Sequence, residues 1–184
     1  MTLPAQSEFI EVRHFVHPGP PSYPRILDCE MQGTVELRIT IPSGANLGPT
    51  LQALLESRNF RSGVARFCEG TLTEARYHVV VKTTNADRPY SYGPPIVVPG
   101  PVKLVTGVMT YGRTRDDRPI LHCHAGFVDS TGTSHGGHLV LDPCIVGAEP
   151  VVVRICVFAE GEYAVREDRE TNFNLLKPIP LERE

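Results

Sequence analysis

Only one stretch of this chain carries a helical period. Leu47, Leu51, Leu54 and Leu55 recur at i, i+4, i+7 and i+8, an apolar stripe that predicts a helix from about Leu47 to Ser57. Asn46 stands where an N-cap belongs, and Pro49 is tolerated in the first turn. Elsewhere apolar residues tend to alternate with polar ones. In Thr34–Ile41, Val35, Leu37, Ile39 and Ile41 share one face, while Glu36, Arg38 and Thr40 share the other. Further strands are predicted over 62–71, 74–82, 102–111, 119–128, 136–141 and 150–158, with turn signals at hairpin spacing between most of them. The last of these is a nearly continuous apolar run, suited to a central strand buried on both faces. The expectation is an α+β fold, a largely antiparallel sheet with one main amphipathic helix packed on it.

Three segments resist this pattern. Residues 17–24 hold four prolines and read as a surface loop, preceded by a short strand over Phe9–Val16. Residues 85–100, rich in Pro, Gly and Tyr, read as a long loop inserted within a single domain spanning 1–184. Tyr90 and Tyr92 at its tip either line a binding surface or pack on the loop's own prolines, and the second reading is preferred. Residues 169–184 read as an irregular tail, tacked to the body by Phe173, Leu175 and Leu176.

Composition narrows the function. A net charge of −3 argues against a surface built mainly to grip phosphate backbones. No apolar run approaches the roughly 20 residues that span a bilayer, and Met1–Ile10 lacks the features of a signal peptide, so a cytoplasmic protein is expected. The five cysteines, Cys29, Cys68, Cys123, Cys144 and Cys156, form no Cys-X-X-Cys pair and read as small apolar residues in a reducing compartment.

The chemistry concentrates in Leu121–Leu139, where four of the seven histidines lie. On a strand His122 and His124 point one way and Cys123 the other. A polar turn at Asp129–Thr133 can fold the chain back and bring His138 beside that pair. Three neutral nitrogens with a fourth position open match a reactive zinc site. The plainer alternative is a His-X-His pair on the wet face of a sheet. His135 either replaces a ligand or faces solvent, and solvent is preferred. Asp129 and Glu69 are weak candidates for a general base, and Glu149 reads as the end of a turn.

The segment Pro119–Phe127, the turn after it, Gly136–Leu139 and the apolar Glu149–Val153 together resemble the core of the PPC domain, the domain conserved in plants and prokaryotes. Leu37-Arg38, the leucine helix, Ser62–Val64 and Asn172–Leu176 fall in the same order, so the resemblance covers about 34–178. It implies a compact α+β unit, assembly as a homotrimer, and a metal held by His122, His124 and His138. Plant members carry AT-hooks, and a DNA-binding label has passed from them to stand-alone members. Gly112-Arg113-Thr114-Arg115 is the nearest approach to an AT-hook here, and the acids Asp116 and Asp117 follow it. Duplex binding would require Arg58, Arg61, Arg66 and Arg76 to gather on one face.

The expected function is therefore a homotrimeric interaction or regulatory module carrying a three-histidine metal site, with DNA or a DNA-bound partner as its target. The alternative is a zinc-dependent small-molecule enzyme of hydrolase or lyase type. A plain structural trimer without ligand is the third.

Overall fold

A computed structural model describes residues 16–27, 29–31 and 34–179. Eleven strands and one helix follow in the order β1 (Thr34–Ile41), α1 (Leu47–Ser57), β2 (Gly63–Glu69), β3 (Thr71–His78), β4 (Val80–Lys82), β5 (Tyr90–Tyr92), β6 (Ile96–Arg113), β7 (Pro119–Val128), β8 (Ser134–Leu139), β9 (Val151–Phe158), β10 (Glu162–Asp168) and β11 (Phe173–Ile179). The expected class holds: α+β, with a mostly antiparallel sheet and one helix. The main sheet runs β1-β9-β2-β6-β3-β8-β7 and closes on itself, because β7 also pairs with β6. Among the described residues the one parallel bridge joins β10 to β6 at Ala164 and Arg113. No helix among the described residues is long and apolar enough to cross a membrane, which says nothing of spans made by strands.

The helix forms where its leucines predict. Leu47, Leu51 and Leu55 are fully buried, each worth about 1.5–3 kcal/mol. Asn46 occupies the N-cap position, but its side chain makes no capping bond. The free N–H groups of the first turn are met from elsewhere: Leu47 N donates to the Cys144 carbonyl at 2.8 Å and Gly48 N to that of Leu141 at 3.3 Å. A Cβ on Gly48 would sit 2.9 Å from Asp142 Oδ1, so glycine permits this close approach.

Three expectations are corrected. The first concerns 85–100, which is not a loop: β5 pairs with β4 as a small hairpin, and β6 begins at Ile96. Pro99 and Pro101 hid that strand. They are tolerated because β6 meets β7 only from Lys103 onward, so along the prolines one edge of β6 carries no ladder. Nor is the tail irregular. β10 and β11 form a hairpin through a turn in which Asn172 adopts a left-handed φ of 57° and Asp168 accepts from the Thr171 backbone and hydroxyl. Finally, β9 is not buried on both faces along its length. Val151, Val153, Ile155 and Val157 face the core, while Arg154 is exposed. The strand expected over Phe9–Val16 lies almost wholly outside the described residues. Residues 17–24 form no regular structure, as expected.

Candidate metal centre

Register brings the histidines together. In the β7–β8 hairpin His124 lies directly opposite His138, and His122 shares their face two residues along β7. The turn between these strands is held by Asp129, whose carboxylate accepts from the Thr131 and Thr133 backbone N–H groups at 2.8 and 3.0 Å. Gly132, at φ 86°, supplies the left-handed residue the turn needs. Beside His138, Gly137 brings β8 hard against β3: a Cβ there would lie 2.5 Å from the His78 carbonyl oxygen. The Gly-Gly-His signature is thus a packing requirement of the strand that delivers the third imidazole.

One nitrogen from each of His122, His124 and His138 lies within 4.8 Å of the others. The Nε2 atoms of His122 and His124 are 3.1 Å apart. Tetrahedral zinc with bonds near 2.1 Å would set its nitrogens about 3.4 Å apart, so small side-chain shifts suffice to close this set on an ion. Burial, and then the neighbouring histidines, lower the pKa of His122 and push that of His138 down to about 4. Both are neutral at physiological pH, the state a metal requires.

Residues around this group fall into distinct roles. Tyr92 stacks on His138 with ring centroids 4.7 Å apart, and its hydroxyl is 3.4 Å from His138 Nδ1. His78, directly opposite His138 on β3, donates from Nδ1 to the Gly93 carbonyl at 2.8 Å and stands outside the cluster. His78 is not legible from the sequence, since the pairing of β3 with β8 leaves no local mark. Tyr92 faces the site, so of the two readings the sequence allows, the binding surface is the one the structure favours. His135 is neither ligand nor solvated: it contacts Asp129 at 3.0 Å and stacks on Phe127. Asp129 is committed to the turn, where the Thr131 hydroxyl and then His135 hold its carboxyl well below the usual range. Glu69 pairs with Arg38 and Glu149 with Lys103, and none of the three acids lies within the histidine group. Cys123 is buried on the opposite face, as predicted, and its thiol is pushed up to about 12 by burial.

A cavity of about 640 Å³ opens from the histidines. One side is formed by Val80, Tyr92, Thr110, Leu121, His122 and His138, and the other by the β10–β11 hairpin.

The stretch 30–158 matches the model of the Plants and Prokaryotes Conserved domain. The chain belongs to that family. No curated protein is similar enough in sequence to count as a match. Solved structures share the fold of this PPC-domain chain. A metal-containing protein from Archaeoglobus fulgidus superposes with a TM-score of 0.63 at 16% identity, covering 83% of this chain and 98% of its own. A PPC protein from Pyrococcus horikoshii gives 0.61 at 16%, covering 83% and 96%. A protein named "putative DNA-binding protein" from Ralstonia eutropha gives 0.63 at 18%, covering 76% and 89%. At these identities the likeness is one of fold.

The low pKa of His138 has a measurable consequence for metal-free protein. Its folded value, about 4, lies below the unfolded value near 6.5. The unfolded chain therefore gains protons first. This contribution to stability is complete above pH 6.5, is lost as pH falls toward 4, and is constant below that. After allowance for solvent screening of a half-exposed ring the loss is about 1–2 kcal/mol, or roughly 3–6 °C in melting temperature. Thermal melts of EDTA-treated protein at pH 7.5 and 4.5 should show this drop, and a His138→Gln variant should show less of it. Equal drops in the two proteins would refute the assignment.

Proposed function

We propose that this PPC-domain chain is a metal-binding protein whose ion, held by His122, His124 and His138, presents an open coordination position to a small molecule in the adjoining cavity. The convergence of three imidazoles at the mouth of a 640 Å³ pocket carries this reading. Zinc is the proposed metal. An all-nitrogen donor set also suits copper, iron or nickel, but three histidines with one position left open is a zinc arrangement in carbonic anhydrase. When bound, such an ion supplies Lewis acidity or a water acidified to a pKa near 7. The chain's own residues orient the ligands: Tyr92 stacks on His138 and offers a hydroxyl near its second nitrogen. Burial keeps that phenol protonated, and its oxygen is placed to accept the N–H that a metal-bound imidazole carries on that nitrogen. Among the described residues no carboxylate lines the cavity, which favours binding over hydrolysis or elimination.

The homotrimer belongs to the same proposal. Val105 and Val108 on β6 are 61% and 49% exposed, and together with Val97 they offer apolar surface for neighbouring copies. A cytoplasmic location is supported by five cysteines that form no disulfide. Protein purified without a histidine tag should hold one equivalent of metal per chain, and light scattering should give three times the 20.3 kDa chain mass. Metal below 0.1 equivalent after growth in zinc-supplemented medium, on the order of background, would refute the metal centre.

The DNA-linked reading draws on the names of two structural neighbours, those from Ralstonia eutropha and Bacteroides thetaiotaomicron. The arginines it needs are dispersed. Arg66 faces Val108 on β6 and Arg76 faces Val97, eleven residues away along that strand, or roughly 35 Å at about 3.3 Å per residue. Arg61 is paired with Asp117 and Glu162, and Arg76 with Glu74.

A further inference from the structure

The walls of the cavity limit what can sit beside the ion. Its polar side chains are Ser91, Tyr92, Thr110 and Asn174, beside the proposed ligands His122 and His138, and the remaining lining is aliphatic or aromatic. Among the described residues no lysine, arginine, aspartate or glutamate borders it. The one strong charge available to a ligand is thus the cation itself, at one end. A second anionic group would be desolvated against apolar walls with no guanidinium or ammonium to meet it. A cationic group would face the metal's charge with no carboxylate in reach. The volume lies within the range of small-molecule sites and accommodates a ring-sized body.

The second wall has a separate origin. Val165, Phe173, Leu175 and Leu176 come from the β10–β11 hairpin, which lies beyond residue 158, where the family match ends. The ion-binding face and part of the pocket belong to the matched region, while the closing apolar wall belongs to the following segment. That division is what a shared centre with its own selectivity would require.

We infer that the pocket takes a small monovalent acid, or a neutral derivative of one, with a single metal-seeking head on the ion and an apolar ring-sized body between Tyr92 and the β10–β11 hairpin. The inference rests on the metal reading above and assigns the class of molecule to that site. Binding of such a molecule makes and breaks no covalent bond within it; the head replaces solvent at the ion, and the body replaces water in the cavity.

The test uses cobalt-substituted full-length protein, whose visible bands report a head group on the ion, titrated with acetate, 3-phenylpropionate and 2-benzylsuccinate. These supply a head alone, a head with the body, and the same body with a second carboxylate. Phenylpropionate should bind at least about 30-fold more tightly than acetate, from burial of its phenyl group, and more tightly than benzylsuccinate. Leu175→Asn and Val80→Asn, on opposite walls at positions 40% and 58% exposed, should each erase most of that gain without adding charge. Cobalt content and acetate affinity should stay unchanged in both. Cobalt uptake with acetate binding but no advantage for the phenyl probe overturns this inference and leaves the metal centre standing. Benzylsuccinate binding as tightly as phenylpropionate overturns the charge class. Failure to take up cobalt overturns both readings together.

Discussion

His138→Ala should abolish stoichiometric metal binding, zinc being the proposed ion. Structural zinc sites bind with an apparent free energy of about 10–16 kcal/mol. If three imidazoles share about 12 kcal/mol, losing one costs roughly 4, about a thousandfold in affinity. His138 is the informative choice because it arrives on a separate strand: His122 and His124 adjoin by local alternation alone, whereas His138 joins them only through the β7–β8 register. The measurement is zinc per chain by elemental analysis after dialysis, with the fold checked by circular dichroism. His122→Ala should behave alike. Full zinc retention in either variant would remove these residues from the ligand set.

Phe127→Ala should unfold more easily by about 4 kcal/mol, a third or more of the stability of many domains. Phe127 sits three residues from His124 but faces the opposite way, 1% exposed. Its ring meets Tyr77 edge-on at 5.3 Å and stacks on His135 at 5.9 Å. Truncation leaves a cavity under the hairpin that presents the histidines, and it also uncovers the ring that helps position His135 against Asp129. Urea denaturation followed by fluorescence measures the loss. A shift below about 1 kcal/mol would mean that the site collapses without penalty, contrary to its tight packing. The pair of variants separates roles along one strand, since His138→Ala should cost metal with little effect on the metal-free fold.

The alternating strands and the leucine helix could be read from the chain because each is a local pattern. Thr34–Ile41 and Leu47–Ser57 fall where periodicity places them. The histidine cluster was within reach for the same reason: one alternation and one turn connect its members. What escaped depended on partners distant in sequence. Pro99 and Pro101 resemble strand breakers until the unladdered edge of β6 is seen. The Asp168–Asn172 turn has no glycine, because Asn172 takes the left-handed position and Asp168 satisfies the backbone, so the second hairpin left little turn signal. His78 comes beside the centre through β3–β8 pairing and Tyr92 reaches it through the β4–β5 hairpin, neither of which has a local signature.

The pairing of β1 bears on how the protein is made. Among the described residues Thr34–Ile41 finds its ladder partner only in Val151–Phe158, more than a hundred positions later. A ribosome therefore exposes this alternating apolar strand long before its mate emerges, and contacts so distant close slowly. During that interval the nascent chain carries an unsatisfied sheet edge, the kind that templates association between chains. Yield in the cell should thus depend on holdase chaperones acting at the exit tunnel as much as on the stability of the finished sheet.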